Sequence, residues 1–347
     1  MIGPTIRIKN MKPYEALLAR MNDLHTAPLW ELYMKIASRE PRRTDQPMHW
    51  RWDALSGVIE TAAREVSLET AERRVVLFAN PAFAPKVVTT TNLQAGFQIL
   101  EPGESARPHR HSASALRFIM SSKGGATLVN GQRCPMVPGD LITNPAWCWH
   151  EHVNDTDERI VWFDGLDVPF VQYLDGFFFE EALEGFTPPL DASALPDASL
   201  VAGGFVPEPT GAAVPFSPLY RYAGDHMSAA LSAMPAGSDG TKRMRYVNPL
   251  TGGAIMPTLD CYMLELSGHA QTRASRSTSS AICLVVDGEG RSTIGDTTID
   301  WRKHDVFTVP HWHWVTHRAV SAAPARLFMM TDRDLLSRLH LLIEQNE

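Results

Sequence analysis

The spacing of apolar positions changes near residue 73, and this change predicts a helical part followed by a long β part. Residues 12–38 and 53–66 carry apolar side chains at helical spacing. The intervening residues 39–52, rich in Pro, Arg and His, are predicted to be irregular. Residues 1–72 are therefore predicted to form an N-terminal helical arm.

Beyond residue 73, short apolar runs separated by turn residues predict a barrel of antiparallel strands over residues 73–176. The dipeptide Asn130-Gly131 is a strong hairpin signal within it. The predicted strands cover residues 75–78, 87–90, 97–100, 116–120, 126–129, 141–143 and 160–163.

Residues 177–255 are rich in Pro and Gly, and their interleaved aromatic side chains favour a connector packed over the barrels rather than a disordered linker. Strand-like runs resume in residues 258–330, within the second predicted barrel of residues 256–347. Residues 331–345 repeat Leu and Ile on one helical face, which predicts a C-terminal amphipathic helix.

Histidines at fixed steps mark the first predicted barrel. The pattern Gly103-x5-His109-x-His111 places two imidazoles on the same face of a strand, because side chains alternate along it. The second pattern, Gly139-x5-Pro145-x4-His150, brings a third imidazole from another strand. Together they predict a metal site, and they resemble the two motifs of the cupin superfamily of small β-barrels.

The first motif departs from the cupin pattern at Arg117. Cupins usually have a Glu ligand at this position, and a cation cannot bind a metal. The metal centre is therefore predicted to have three neutral His ligands and open coordination positions. Arg117 becomes a candidate for binding a carboxylate, since its planar guanidinium can hold one with two hydrogen bonds.

The same spacings recur in residues 256–347. Gly268-x5-Ala274-x-Arg276 matches the first motif, and the run from His304 to Val315 matches the second. We therefore expect a second barrel with Ala274, Arg276 and Val315 at the ligand positions, and no metal bound there. The predicted fold class is mainly β: a bicupin of two double-stranded β-helix barrels with an N-terminal helical arm and a C-terminal helix.

Composition excludes some partners. The 347 residues carry a net charge of −7, which gives no electrostatic reason to expect nucleic acid or an anionic membrane as partner. The chain also shows no long apolar stretch and no apolar signal-peptide core, so a cytoplasmic location is expected. The four cysteines, which include Cys148 beside His150, have no paired spacing and are predicted to be buried reduced thiols.

Longer stretches extend the likeness from the arm to the second barrel. They include Ala71-Glu72-Arg73-Arg74, Pro108-His109-Arg110-His111-Ser112, Trp149-His150-Glu151-His152 and Asn248-Pro249-Leu250-Thr251-Gly252-Gly253. On these residues the chain resembles the gentisate 1,2-dioxygenase family, which includes salicylate and 1-hydroxy-2-naphthoate dioxygenases. The resemblance implies one Fe(II) per chain in the first barrel, cleavage of a 2-hydroxybenzoate with O2, and a homotetramer. Zinc could not serve, because it is redox-silent.

The resemblance also implies roles for single residues. His109, His111 and His150 would hold the metal, Arg117 would bind the substrate carboxylate, and His152 would act as acid/base or hydrogen-bond the substrate. Gln98 and Arg73 match positions near the substrate, and Asp164 is a candidate for orienting His152 or Arg117. Gln94 stands where many gentisate enzymes have Tyr in Leu-Tyr-Ala-Gly, so salicylates with other 5-substituents, such as halogen or nitro, are also candidate substrates.

Two other classes of function remain open on the sequence. A three-His cupin with Zn or Mn can catalyse redox-neutral isomerisation or lyase chemistry, and a bicupin can be a noncatalytic storage or sensing protein. The noncatalytic alternative predicts loss of ligands from both barrels, whereas only the second barrel has lost them. The redox-neutral alternative predicts tight zinc binding and no reaction with O2.

Overall fold

The structure is a computed structural model that describes residues 11–190, 195, 197–201, 208 and 215–347. Gly203-Gly204, Phe205 and three prolines of the predicted connector (residues 196, 207 and 209) lie outside the described residues. A short 3-10 helix covers Pro81–Phe83. The α-helices are α1 Met11–Asp23, α2 Leu29–Ile36, α3 Trp52–Glu65, α4 Leu68–Ala71, α5 Val168–Tyr173, α6 Asp197–Leu200, α7 Gly224–Ala233 and α8 Arg333–Arg338.

Strands β1–β12 precede residue 223. They are β1 His49–Trp50, β2 Val75–Leu77, β3 Gln94–Leu100, β4 Ser105–His111, β5 Ala115–Ser121, β6 Ala126–Val129, β7 Gln132–Pro135, β8 Leu141–Asn144, β9 His150–Val153, β10 Ile160–Leu166, β11 Phe179–Glu181 and β12 Arg221–Tyr222. The first barrel consists of two facing sheets, with strand orders β12-β8-β5-β10-β3-β2 and β11-β4-β9-β6-β7.

Strands β13–β22 follow. They are β13 Thr241–Arg245, β14 Asp260–Leu266, β15 Ser275–Ser277, β16 Ala281–Asp287, β17 Glu289–Ile294, β18 Thr297–Arg302, β19 Val306–Val309, β20 Val315–Ala319, β21 Ala325–Thr331 and β22 Glu344–Asn346. The second barrel has sheets β1-β19-β16-β21-β14-β13 and β18-β17-β20-β15-β22. The mainly β bicupin predicted from the sequence is confirmed.

The six-stranded sheets of the two barrels pack against each other through a shared apolar core. Alternate residues of each strand face this core, as the period of two in a strand requires. The ring centroids of Phe118 and Phe328, from opposite barrels, lie 4.6 Å apart. Gly165 permits the close approach, because a Cβ there would lie 2.3 Å from the Met330 sulfur. The opposite face of each sheet lines the interior of its own barrel.

Residues 12–38, which were predicted to be helical, contain two helices. The helices α1 and α2 are separated by a short segment. In it His25 has a left-handed φ of 52°, and Pro28, whose ring fixes φ, precedes α2. Within the arm, the Trp30 indole donates a hydrogen bond of 2.9 Å to the Tyr14 hydroxyl. The chain divides after Arg42 into two compact units, and α3 belongs to the second unit, residues 43–347. The predicted domain boundaries stay predictions.

Two sequence predictions were wrong. Residues 87–90 do not form a strand, and their backbone instead receives side-chain hydrogen bonds such as that from Gln94 Nε2 to the Val87 carbonyl, 2.9 Å. The C-terminal helix predicted for residues 331–345 ends at Arg338. His340 then takes a φ of 56°, and β22 pairs with the open edge of β15. Pairing this edge satisfies backbone groups that a longer helix would leave unpaired.

Matching contacts fix the alignment of the two barrels. The Arg110 guanidinium lies 4.2 Å from the Trp147 ring centroid, and the Arg276 guanidinium lies 4.2 Å from the Trp312 ring centroid. His109 pairs with His150 across β4 and β9. Its counterpart is Ser275, which pairs with Val315 across β15 and β20.

The ligand positions predicted for the second barrel were therefore wrong by one residue in its first motif. Ser275 and Ser277, rather than Ala274 and Arg276, correspond to His109 and His111. The left-handed turn position matching Gly103 (φ 75°) is His269 (φ 63°), not Gly268. Val315 keeps its predicted place.

The cysteines and the helices complete the fold. Cys134, Cys148, Cys261 and Cys283 are all buried and form no disulfide, as predicted. Across the described part of the chain, no helix has both the length and the apolar character needed to span a bilayer.

Candidate metal centre and substrate pocket

Two short strands of one sheet present the three predicted ligands to the interior of the first barrel. His109 and His111 alternate with the outward Arg110 on β4, and His150 comes from the neighbouring β9. The register pairs His109 directly with His150. The ring centroids of His109 and His150 lie 4.0 Å apart, and those of His111 and His150 lie 4.9 Å apart.

Backbone carbonyls fix the ring orientation of all three histidines. Each Nδ1 lies within hydrogen-bond distance of a carbonyl two residues away: 3.1 Å for His109, 2.7 Å for His111 and 2.9 Å for His150. A carbonyl oxygen can only accept, so each Nδ1 carries the proton and each Nε2 keeps its lone pair. This is the tautomer that metal ligation through Nε2 requires.

Burial keeps the same rings neutral. It lowers the pKa of His109 to about 2 and that of His111 to about 4, with the positive charges of Arg73 and Arg117 contributing. The pKa of His150 is also well below its ordinary value, chiefly through burial. Neutral imidazoles at neutral pH are ready to bind a cation without first losing a proton.

The residues fit a bound metal. Ligand nitrogens of His109, His111 and His150 lie within 4.8 Å of one another, and across the described residues no other such group of His, Cys, Asp or Glu is present. The Nε2 of His150 is buried and, within the described part of the chain, has no hydrogen-bond partner. A buried polar atom without a partner is costly, and a metal ion would satisfy it.

Arg117 lies on the facing sheet, on the interior side of β5. Its side chain is 3% exposed and donates through Nη1 to the Asn144 side-chain oxygen. The Arg117 Nε lies 3.6 Å from Asp164 Oδ1, too far for a direct hydrogen bond. Burial raises the pKa of Asp164 and lowers that of Arg117. Arg117 is thus a buried cation with hydrogen-bonding capacity left over, a feature that suits an anionic ligand.

His152 is buried two residues beyond His150, on the same face of β9. Its Nδ1 lies 2.9 Å from the Thr127 hydroxyl oxygen, and its buried Nε2 has no hydrogen-bond partner among the described residues. Burial holds the pKa of His152 well below its usual value. The ring is therefore fixed at one nitrogen and has its other nitrogen available to a ligand.

The remaining predicted residues also lie at the first barrel. Gln98 is 1% exposed on the interior face of β3, and its Nε2 has no partner in the described structure. Gln94 lies on the same face, with its amide nitrogen bound to the Val87 carbonyl. Arg73 lies just before β2, with its guanidinium carbon 5.3 Å from the centroid of the Phe179 ring.

Sequence reasoning missed three residues of this region. Asn144 and Thr127 bind Arg117 and His152, and Phe179 stacks on His109 with ring centroids 5.3 Å apart. Phe179 comes from β11, the part of the connector that extends the metal-binding sheet by pairing with β4. The run Phe177-Phe178-Phe179 was the available signal, since exposed aromatic side chains are unusual unless they cover a site.

We expect Thr127→Val to lower kcat by about tenfold, because losing a buried hydrogen bond costs about 1–3 kcal/mol and releases the His152 ring. Steady-state kinetics with measured iron content would test this. The matched control is Ser292→Ala in the second barrel, where Ser292 Oγ lies 2.7 Å from His317 Nδ1 in the equivalent contact. That variant should lose stability but keep its kcat. Equal kcat losses in both variants would refute a specific role for Thr127.

The fold and the site define a bicupin with a three-histidine metal-binding group in its first barrel. A family model described as "Cupin domain" matches residues 96–168. The chain is 34% identical over 330 residues to gentisate 1,2 dioxygenase 1 of Aquipseudomonas alcaligenes, with 93% of each chain covered. It is 35% identical over 343 residues to 5-aminosalicylate 1,2-dioxygenase of Comamonas sp, covering 95% of this chain and 90% of the relative.

A solved structure agrees with these relatives. Salicylate 1,2-dioxygenase from Pseudoaminobacter salicylatoxidans matches with a TM-score of 0.90 and 30% identity, over 99% of this chain and 96% of that one. The chain therefore belongs to the gentisate 1,2-dioxygenase family. It is a ring-cleaving 1,2-dioxygenase of hydroxylated aromatic acids, as the sequence predicted.

Proposed function

We propose that the protein is an Fe(II)-dependent dioxygenase of 2-hydroxybenzoates, of the gentisate 1,2-dioxygenase type, which would convert gentisate to maleylpyruvate. Both atoms of O2 would be inserted between the carboxylated and hydroxylated ring carbons. The observation that carries the proposal is the buried cation Arg117, facing three neutral histidines whose Nε2 lone pairs are available. A substrate with adjacent carboxylate and hydroxyl groups is complementary to this pair of features.

Each residue of the proposed site would have a separate role. His109, His111 and His150 would hold the iron, which when bound supplies coordination of substrate and O2 and electron transfer between them. Arg117 would bind the carboxylate and fix the ring orientation, since a charge-assisted hydrogen bond in a buried site is strong and directional. His152 would hold or move a proton at its Nε2, and Gln98 would donate its unpaired amide hydrogens to a substrate oxygen.

Substrate entry would place the acid beneath Phe179 and Arg73. Phe179 stacks on His109, and Arg73 has its Nε buried without a hydrogen-bond partner in the described structure. A second cation at the mouth raises the local concentration of an anionic substrate. It also adds to the positive potential that keeps the ligand histidines neutral.

We expect Gln94 to influence which 5-substituent the enzyme prefers. Its amide nitrogen is committed to the Val87 carbonyl, so the side chain presents its carbonyl oxygen, an acceptor. We expect higher kcat/KM for hydroxyl and amino 5-substituents, which donate, than for halogen or nitro groups. An oxygen electrode with gentisate, 5-aminosalicylate, 5-nitrosalicylate, salicylate and 1-hydroxy-2-naphthoate would measure this order. In Gln94→Leu the preference should shrink, and an unchanged order would exclude Gln94 as its cause.

Iron loading provides the test of the proposal itself. Protein loaded anaerobically with Fe(II) should consume one O2 per 2-hydroxybenzoate, and protein loaded with Zn²⁺ should consume none, because zinc is redox-silent. Oxygen uptake and the mass of the product would be measured together. An iron-loaded protein that leaves both the aromatic acid and O2 unchanged would contradict the proposal. The homotetramer and the cytoplasmic location stay predictions, and sedimentation would test the former.

A further inference from the structure

The second barrel contains a cavity of about 610 Å³, a size typical of sites for small organic ligands. Leu264, Val309, Val315 and Met329 contribute apolar wall to it. Arginines, among them Arg243, Arg245 and Arg333, line it as well. The lining also includes hydroxyl groups, such as those of Ser275 and Ser277, and the carboxylates of Asp239 and Glu344. Guanidinium groups beside apolar side chains suit an anion with an apolar body.

The strand register shows which residues give the second barrel a different lining from the first. Leu264 on β14 and Met329 on β21 occupy the positions that Gln98 and Asp164 occupy in the first barrel. Cys283 stands where β5 has Arg117. Gln98, Asp164 and Arg117 are thus replaced by apolar residues, whereas His152 and Thr127 keep polar counterparts in His317 and Ser292. A ligand here would be bound through its apolar body rather than through a metal.

Arg243 brings a charge to a position that is apolar in the first barrel. It pairs with Leu264 across β13 and β14, as Val75 pairs with Gln98 across β2 and β3. Its guanidinium carbon lies 4.3 Å from the centroid of the Tyr262 ring, which also lines the cavity. Stacking on an aromatic face orients the guanidinium while leaving its edge available to an anion.

Two other arginines of the cavity lining, Arg245 and Arg333, are paired with acids. Arg245 lies 2.9 Å from an Asp260 oxygen, and Arg333 lies 2.6 Å from a Glu344 oxygen. In the described part of the chain, no carboxylate lies within ion-pair distance of Arg243. The pKa of His317, inside the barrel, is lowered to about 4, mainly by burial and also by the positive charge of Arg243.

An exposed arginine is ordinarily a solvated surface group. Arg243 differs because it lies over a ring that lines a cavity, and because its charge reaches buried groups. We propose that the second barrel binds a small carboxylic acid with an apolar body, its carboxylate at Arg243 and its body against Tyr262, Leu264 and Met329. This site is separate from the proposed catalytic site and needs neither metal nor O2.

Benzoate is a suitable probe, because it has the carboxylate and ring but lacks the hydroxyl needed to chelate a metal. Equilibrium dialysis with labelled benzoate would be done on the metal-free full chain carrying Arg117→Met, which removes the first-barrel cation. We expect saturable binding that weakens at least tenfold when Arg243→Leu is added. Benzamide, which lacks the charge, should bind at least tenfold more weakly than benzoate.

The matched control adds Arg291→Leu instead. Arg291 lies on β17 of the same barrel, where it pairs with Asp300 at 2.6 Å and does not line the cavity. Benzoate binding should be unchanged in this control.

If first-barrel binding persists in Arg117→Met, two benzoates should bind per chain, and Arg243→Leu should reduce the number to one. No saturable binding in Arg117→Met, or equal binding after Arg243→Leu and Arg291→Leu, would overturn the proposal. Oxygen uptake plays no part, so failure of the catalytic proposal would leave this result intact.

Discussion

Replacing His109 by alanine should leave a folded protein that holds no iron and consumes no O2. His109 lies between His150 and Phe179, and its loss leaves two imidazoles for an ion that is proposed to have three. Changing a residue that merely orients a ligand typically costs 10–100-fold in metal affinity, so removing a ligand should cost more than about 100-fold. Iron content per chain after gel filtration and oxygen uptake would both be measured.

The control for this variant is His226→Ala, because His226 is an exposed histidine on α7. It should retain full iron content and activity. Metal-free wild type and His109→Ala should have similar far-UV circular dichroism, which separates loss of the ligand from loss of the fold. A folded His109→Ala protein that still holds one iron per chain would refute the ligand assignment.

Arg117→Met should lower kcat/KM for the aromatic acid by about a hundredfold or more, with iron content unchanged. Truncating one partner of a buried, hydrogen-bonded charge pair costs about 2–5 kcal/mol, and each 1.4 kcal/mol is a factor of ten. Methionine keeps much of the length of arginine while removing the charge. The loss should appear mainly as weaker substrate binding, because the metal ligands lie on the facing sheet.

A comparison of two substrates makes this prediction specific to the carboxylate. Wild type should bind salicylate far more tightly than salicylamide, and Arg117→Met should lose most of that discrimination. Arg133→Met is the matched control, since Arg133 lies in the same barrel, pairs with Asp155 on the surface and is half exposed. If Arg117→Met discriminates between acid and amide as wild type does, Arg117 does not bind the carboxylate.

The site could be predicted from the sequence where residue type and local spacing were sufficient. His109 and His111 share a strand face because of the period of two, and the turn glycines place His150 on an adjacent strand. The same reasoning failed by one residue in the second barrel. There the left-handed turn falls on His269 beside a glycine, and a sequence match cannot tell which of the two residues adopts that conformation.

Residues that act through packing between distant segments could not be found in this way. Asn144 and Thr127 are common polar residues, and only the strand register shows that they contact Arg117 and His152. Phe179 reaches His109 because the connector returns to pair with β4. The end of the chain was mispredicted for the same reason. Leu339 and Ile343 have the spacing of a helical face, but the chain turns to pair with β15 and leaves both side chains half exposed.

The short strand β1 links the beginning of the chain to its second half. His49 and Trp50 pair with Phe307 and Val306 of β19, although the strands β2–β12 of the first barrel lie between them in the sequence. His49 Nε2 also lies 2.9 Å from Asp305 Oδ2. A segment that precedes the first barrel in the sequence is thus part of a sheet of the second barrel. A gene fragment encoding only the second barrel would lack this edge strand, and one encoding only the first barrel would leave β1 without its partner, so we expect neither barrel to fold fully without the other.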